Sequence, residues 1–465
     1  MFKERLKTFL LVILVASSII LTVDMWFKEK LWPDGYNFFS DITNFTKSND
    51  KSYYLSKETI SNPEKIIVNN FETRNLYTHT SKEFTEIVNP IMSVVKQSIS
   101  TAEFNEANEA DWNTALTLGS VYISYPVAYD TALLCKILDV TPLNAKTKSL
   151  KEFIIVPSAI QNSSAVSVYT KDYTSKKVYN TVITSSAESI NKIIDTYSVD
   201  SLNLLPYSFE LKFDENESLN VEQKVVIEPT VTLSLDTSNL AVLESTNYLN
   251  DIYYDNELSK RMLNSFGYNT TNTKGSHVDS NNTAIYVENF STLKVYDDGL
   301  VEYKSIDSSK GISLTNSSNA SLYDNFIACI EFVNNLWDNT LPGEPLNINL
   351  TSDIVSNSDG KSFKVTMDYY VNGTLVVCSG DYHGIEITVE NGKITEYKQF
   401  FNKFNPIDEY VTNGSSIDAM DNLFADKTVE NGSISQLNIV YINQGKYWKP
   451  TWVAKLNGNN KIINR

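Results

Sequence analysis

The sequence predicts an α+β protein, with an N-terminal transmembrane helix followed by a three-domain extracytoplasmic region of antiparallel sheets with packed helices. Three observations support this prediction. The chain opens with an apolar run preceded by basic residues. Beyond it, apolar residues at helical spacing alternate with short β-branched runs and Asn-Gly turns. Hydrophobic residues make up 42% of the 465 residues, which is enough to bury the cores of several domains.

Residues 9–27 form the predicted membrane helix, and residues 1–8 form the predicted cytoplasmic N-terminus. The run FLLVILVASSIILTV and the MWF after it approach the roughly 20 residues needed to cross a bilayer. Basic residues before the run place the N-terminus in the cytoplasm, so the chain from about residue 30 onward is expected outside the cell. A cleavable signal peptide is the alternative, but the apolar run continues beyond the small residues Ala16, Ser17 and Ser18. We therefore predict a single-pass protein of the cell membrane.

Four polar side chains interrupt this helix: Ser17, Ser18, Thr22 and Asp24. At about 100° per residue they fall within roughly half of the helix circumference. Serine and threonine permit close approach and hydrogen bonding between helices in a membrane. We predict that the four residues form a transmembrane contact face; the alternative is that the hydroxyls bond their own backbone.

The first predicted extracytoplasmic domain spans residues 36–206. Apolar residues at helical spacing predict helices over 83–99, 128–138 and 187–197. Runs of β-branched and aromatic residues between them predict strands. The domain is therefore expected to be α+β.

Two further α+β domains are predicted over residues 207–311 and 312–465. Each contains one clear helix, over 257–266 in the second domain and 322–337 in the third. Short strands are predicted around them, including a run at residues 230–235. Asn-Gly pairs inside apolar runs predict two hairpins in the third domain.

An internal repeat links these two domains. The segment LKVYDDGLVEYK, from Leu293, resembles ITVENGKITEYK, from Ile387, at a constant offset (389 − 295 = 94). Either the two hairpins resemble each other by chance, or the second and third domains are related modules.

The charge of the chain excludes some partners. The formal net charge is −17, and the first seven residues contribute +2, which leaves −19 for the remainder (−17 − 2 = −19). Such an acidic body repels nucleic acid and anionic lipid headgroups. We therefore expect neither as a partner.

The sequence contains no recognisable pattern for catalysis, metal binding or cofactor binding. Its three cysteines form no CxxC pair, and its three histidines have no metal-ligand neighbour at i+3 or i+4. The adjacent carboxylates Asp297 and Asp298 precede Gly299, which is typical of a turn. We predict no catalytic residue, metal or cofactor. An anchored cell-wall enzyme and an anchored envelope-ligand-binding module remain the alternatives.

Five segments resemble the YycH family of membrane-anchored regulators. The first is KTFLLVILVASSIILTVDMW, whose apolar run ends with a tryptophan as in the family. Residues 119–138 are similar to a family pattern of strand, aromatic-proline and apolar helix, and residues 266–304 to its central stretch. The helix over 322–336 and the hairpin ITVENGKITEYK resemble the C-terminal domain, which is itself similar to the partner protein YycI.

The resemblance implies a mode of action without chemistry. YycH proteins are associated with the YycG/YycF (WalK/WalR) two-component system of Gram-positive bacteria. They associate with YycI outside the membrane, and their transmembrane helices contact those of the kinase. The expected function is thus control of a sensor histidine kinase, and through it of cell-wall metabolism.

Overall fold

The computed structural model describes residues 55–463, except for residues 72, 144–145, 161–162, 186, 199–204, 211–224, 235–236, 251, 253–255, 271–276, 280–281, 289, 318, 355–360, 379–382 and 427–431. The predicted cytoplasmic N-terminus and transmembrane helix lie outside these residues. In the part that is described, no helix has both the length and the apolarity needed to span a bilayer. All described residues belong to one unit, Ser52–Arg465.

Helices and runs of consecutive strands follow one another along this unit. The helices are α1 (Lys57–Ser61), α2 (Phe84–Thr101), α3 (Glu109–Thr117), α4 (Thr131–Ile137), α5 (Ala187–Tyr197), α6 (Asn256–Ser265), α7 (Leu322–Thr340) and α8 (Ser416–Ala425). The strands are β1 (Lys65–Asn69), β2 (Arg74–Thr78), β3 (Asn105–Ala107), β4 (Ser120–Asp130), β5 (Ser149–Pro157), β6 (Ala165–Asp172), β7 (Val178–Thr184), β8 (Val225–Ile227), β9 (Ser238–Asn247), β10 (His277–Val278), β11 (Ala284–Glu288), β12 (Ser291–Val295), β13 (Leu300–Ser305), β14 (Ile312–Ser313), β15 (Ile348–Leu350), β16 (Phe363–Val371), β17 (Thr374–Val377), β18 (Ile385–Glu390), β19 (Lys393–Phe400), β20 (Asn402–Asn413), β21 (Gly432–Gln444), β22 (Tyr447–Leu456) and β23 (Asn459–Ile462).

Strands β1 to β7 form an antiparallel sheet in the order β2-β1-β4-β5-β6-β7-β3. One face packs against α2, α4 and α5 in the main hydrophobic core. On the other face, Ile67, Tyr122 and Ile154 pack against Trp112 of α3 and against Tyr207. Because both faces are covered, β4 and β5 are buried along almost their whole length.

Side-chain caps fix where the helices begin. The carboxylate of Asp130 accepts hydrogen bonds from the backbone N–H groups of Ala132 (2.9 Å) and Leu133 (3.2 Å), so β4 passes into α4 without a loop. Reciprocal capping boxes begin four other helices, at Ser56, Asn108, Ser321 and Ser415.

Strands β8 to β23 belong to a second sheet, in which the two repeated segments are neighbours. They form the hairpins β12–β13 and β18–β19, and their second strands pair antiparallel with each other. In this pairing Tyr303 lies opposite Tyr397, and these two residues differ by the repeat offset (397 − 303 = 94). A local twofold axis therefore passes between the two tyrosines.

The strands and helices next to the two hairpins are also related by this twofold axis. Strand β11 pairs with β12 as β16 pairs with β18, and the helices α6 and α7 that precede them contact each other. Phe266, directly after α6, packs beneath the axis: its ring centroid lies 5.5 Å from that of Tyr303 and 5.6 Å from that of Tyr397. The repeat in the sequence thus corresponds to two adjacent α-β modules.

The opposite face of the sheet carries charges with the same symmetry. Lys304 pairs with Glu396 at 2.7 Å, and Lys398 lies 3.7 Å from Glu302. The two lysines are equivalent in the repeat, as are the two glutamates. These cross-strand pairs are solvent-exposed or half-buried, so solvent screens them and each contributes little to the stability of the fold.

The hairpin turn at Asp297, Asp298 and Gly299 is the turn that the sequence predicts. Two carboxamides hold it: Asn247 donates to the Asp297 carbonyl at 3.0 Å and Asn402 donates to the Asp298 carbonyl at 3.2 Å. Gly299 has φ +91°, and a Cβ on it would lie 2.2 Å from the Oδ1 atom of Asn402. Both the backbone and the neighbours therefore require glycine here.

A separate core in the second sheet joins two distant segments. Strands β8 and β9 pair with β20, β21 and β22, which lie more than 150 residues later in the chain. Helix α8 closes this core, where Met420 and Leu423 pack with Leu233 and Ile434. Strands from both sides of residue 311 thus share one sheet, and the three-domain division at residues 206 and 311 remains a prediction.

The α+β class and the antiparallel sheets are confirmed, with only two parallel strand pairs (β17–β21 and β8–β21) in the described residues. The predicted helices over 83–99, 128–138 and 187–197 are present as α2, α4 and α5. The strand predicted over residues 230–235 is wrong over its described residues, 230–234, because Thr232 forms only an isolated bridge with Tyr207. Strands β2, β9 and β20 and helix α3 are not predicted by the sequence patterns.

Candidate functional site

The four residues of the predicted transmembrane contact face, Ser17, Ser18, Thr22 and Asp24, lie outside the described residues. The face therefore stays a prediction. Candidate sites in the described part of the chain are the buried thiols, the histidines and the polar groups between the two sheets.

All three cysteines are free and buried. Burial raises the pKa of Cys135 to about 11 and that of Cys329 to about 12. Burial, and then the nearby charge of Asp368, raise the pKa of Cys378 as well. All three thiols are protonated at neutral pH, whereas the thiolate is the nucleophile and the metal ligand.

His383 and Asp368 form a histidine–carboxylate ion pair. The His383 Nδ1 atom lies 2.8 Å from Oδ2 of Asp368, whose side chain is only 7% exposed. The other oxygen of Asp368 accepts the backbone N–H of Gly384 at 2.6 Å. The hydrogen bond that His383 donates to the Asp368 carboxylate raises the pKa of His383, against a smaller lowering by burial.

This pair adjoins the contact between the two sheets. The Thr351 hydroxyl lies 3.4 Å from the Nδ1 atom of His383. Two residues further on, Asp353 Oδ1 accepts the N–H of Ala128 at 2.8 Å, and Ile354 bonds to β4 through its own N–H and carbonyl. His383 therefore lies close to the segment, Asp353 and Ile354, whose hydrogen bonds join the second sheet to β4.

The surroundings of the pair offer no further chemistry. Among the described residues, no hydroxyl or thiol lies within hydrogen-bond distance of the Nε2 atom of His383. No described group of three or more histidine, cysteine or acidic side chains has the geometry to hold a metal ion. The arrangement can accept and release a proton.

Glu152 forms a second polar centre between the sheets. Its side chain is buried and accepts hydrogen bonds from the hydroxyls of Tyr122 (2.6 Å) and Thr230 (3.3 Å). Burial raises the pKa of Tyr122 well above its usual value, and the charge of Glu152 raises it further. Because Tyr122 is on β4 and Thr230 lies between β8 and β9, this carboxylate links the first sheet to the second.

Sequence reasoning missed both centres. The search for histidine partners covered spacings of three and four residues, but His383 and Asp368 are 15 residues apart. Strand β16 pairs with both β17 and β18, and only the second pairing brings Asp368 beside residue 384. The predicted hairpin around Asn372 accounts for the first pairing alone, so the sequence carried no signal for the second.

Residues 4–199 match the family model described as "YycH protein, N-terminal domain". Among solved structures, the crystal structure of YycH from Bacillus subtilis is similar, with a TM-score of 0.58 and 11% sequence identity. The similarity covers 89% of this chain and 98% of that one, and at this identity it shows the fold alone. No curated protein matches by sequence. The resemblance to the YycH family seen in the sequence is confirmed.

Proposed function

We propose that this chain, which belongs to the YycH family, is a non-enzymatic, membrane-anchored regulator of a sensor histidine kinase of the YycG (WalK) type. The observation that carries the proposal is the family match over residues 4–199, together with a fold similar to YycH over most of the chain. The burial of all three cysteine thiols, which keeps them protonated at neutral pH, supports a role in binding rather than catalysis.

In this proposal the chain crosses the membrane once through residues 9–27, with residues 1–8 in the cytoplasm. The described unit lies outside the cell and associates with a YycI-like protein. Ser17, Ser18, Thr22 and Asp24 face the transmembrane helices of the kinase and of that partner. The complex sets kinase activity and thereby controls cell-wall metabolism.

The test replaces residues 15–23 by leucines, which preserves apolarity and length, removes Ser17, Ser18 and Thr22 from the contact face and leaves Asp24 in place. We expect the variant to reach the membrane and to fold, but to lose regulation of the kinase's target genes. Membrane fractionation measures whether the variant reaches the membrane, and protease resistance of the extracytoplasmic unit measures whether it folds. The levels of the target transcripts measure regulation.

The matched control is the same poly-leucine segment with Ser17, Ser18 and Thr22 restored. Recovery of regulation in this control supports the contact face. Full regulation by the plain poly-leucine variant would contradict the transmembrane contact. Unchanged target transcripts on deletion of the whole gene would contradict the regulatory function itself.

A further inference from the structure

The first described residue, Leu55, lies against helix α7. Its side chain is only 4% exposed and belongs to the main core. The Nδ2 atom of Asn334, in the C-terminal half of α7, donates a hydrogen bond to the carbonyl of Leu55 at 2.7 Å. Two residues later in the chain, the ammonium group of Lys57 lies 5.8 Å from the ring centroid of Tyr323, near the start of α7. Residues 55–57 therefore run antiparallel to α7.

Asn334 and Tyr323 lie on one face of α7, together with Ile327 and Asp338. At about 100° per residue, these four side chains fall within about 60° of the helix circumference. All four are half-buried. This set is called the entry face below. Residues 55–57 cover the end of the entry face near Tyr323, and the chain before them arrives at the other end, where Asp338 follows Asn334 by about one turn.

The carboxamide of Asn334 is only half satisfied. Its nitrogen donates to Leu55, but its Oδ1 atom is buried and accepts no hydrogen bond from the described residues. Buried polar atoms in folded proteins are nearly always hydrogen-bonded. The oxygen is therefore placed for a donor that arrives with the chain before Leu55, where residues 52–54 (SYY) each have a backbone N–H.

The backbone at this point is extended. Ser56, between Leu55 and α1, has φ −133° and ψ 168°. Along an extended chain each residue advances about 3.3 Å, and successive side chains point to opposite sides. Continued upstream from Leu55, this conformation places Tyr53 about 7 Å away on the same side as Leu55, and Tyr54 on the opposite side.

We infer that Tyr53 docks on the entry face, about one turn beyond Asn334. Asp338 lies there, about 6 Å along α7 from Asn334, and the tyrosine hydroxyl donates to its carboxylate. A backbone N–H of residues 52–54 donates to the Oδ1 atom of Asn334. Tyrosine suits this position, because its ring covers half-buried helix surface while its hydroxyl takes a polar partner.

The docking site lies beside the junction of the two sheets. Phe326 of α7 and Tyr129 of β4 are in contact there, with ring centroids 6.4 Å apart. The chain that leads to the predicted membrane helix is thus fixed to the second sheet close to where that sheet meets the first. This inference goes beyond the proposed function, because it concerns contacts within this chain and involves no kinase.

Crosslinking within the full-length chain tests the direction of the docked segment. A short bis-maleimide is applied to Ser52→Cys combined with Asn339→Cys, and to Ser52→Cys combined with Glu331→Cys. Both helix positions are exposed, and Glu331 lies closer to Asn334 but on the opposite side from Asn339, so a freely moving segment would reach it at least as well. We expect the yield with Asn339→Cys to be about tenfold higher. Equal yields, including none with either, or a higher yield with Glu331→Cys would overturn the inference.

Substitution tests the individual contacts. Trypsin cleavage of the full-length chain after Lys51 is followed by mass spectrometry. Asn334→Ala should accelerate this cleavage about tenfold, because release of the docked segment exposes the bond to the protease. Asn335→Ala makes the same change at an exposed neighbour and should leave the rate unchanged. Tyr53→Phe, which removes only the hydroxyl, should also accelerate cleavage, whereas its control Tyr54→Phe should not. If neither Asn334→Ala nor Tyr53→Phe is cleaved faster than its control, the inference is refuted, whether or not kinase regulation persists.

Discussion

Gly299→Ala is expected to destabilise the second sheet by about 2–4 kcal/mol. The first contribution is the backbone: φ is +91°, and a side-chain-bearing residue there costs about 1–3 kcal/mol. The second is a collision, since the new Cβ would lie 2.2 Å from Oδ1 of Asn402 and 2.8 Å from Oδ1 of Asn247. When Asn402 moves away, its hydrogen bond to Asp298 is lost, at a cost of about 0.5–1.5 kcal/mol.

Two further variants separate these contributions. Gly445, in the β21–β22 hairpin, has φ +88°, but no atom lies within 4 Å of the position that a Cβ would occupy, so Gly445→Ala measures the backbone cost alone. In the double variant Gly299→Ala/Asn402→Ala the collision with residue 402 is relieved, so its destabilisation should be smaller than the sum of the single variants. The urea midpoint, followed by tryptophan fluorescence, measures each effect. If Gly299→Ala matched Gly445→Ala, or if the double variant were strictly additive, the collision would play no part and the reasoning would be refuted.

Two predictions concern other parts of the fold. Phe326→Ala should lower the free energy of unfolding by about 3–5 kcal/mol, because the Phe326 side chain is fully buried in α7; an unchanged denaturation midpoint would show that this face of α7 contributes little to the core. The His383–Asp368 pair should make stability pH-dependent: the folded pKa of His383 is raised above 6.5, so its contribution is complete below that pH and is lost as the pH rises through the folded pKa. Asp368→Asn should abolish this component of the pH profile, measured by thermal melting across the range, and persistence of the component would assign it to another group.

The elements that could be predicted from the sequence are those specified by local patterns. Helix α7 has apolar residues at helical spacing and a capping box, and the hairpin β18–β19 has Asn391-Gly392 between apolar runs. Strand β20 lacks such a signal, because most of its residues are exposed or half-buried and do not alternate. Its only long partner among the described strands is β9, about 160 residues earlier, so the pairing depends on a contact that no local pattern encodes.

The candidate sites also differ in whether a local sequence pattern reveals them. The apolar run and the polar residues within it are evident in the sequence, because a membrane span needs only composition and length. The His383–Asp368 pair is not evident in the sequence, because it forms between residues of neighbouring strands.

The distance in sequence between β9 and β20 has a consequence during synthesis. Strand β9 ends at Asn247 and β20 begins at Asn402, so the start of one lies 155 positions (402 − 247 = 155) after the end of the other. At typical translation rates the ribosome needs roughly 8–30 s to make that stretch. Throughout this interval the first sheet has all of its strands, whereas β9 lacks its longest partner. Nascent chains in this state expose a ten-residue strand edge, which makes this interval the period in which the protein most needs a chaperone.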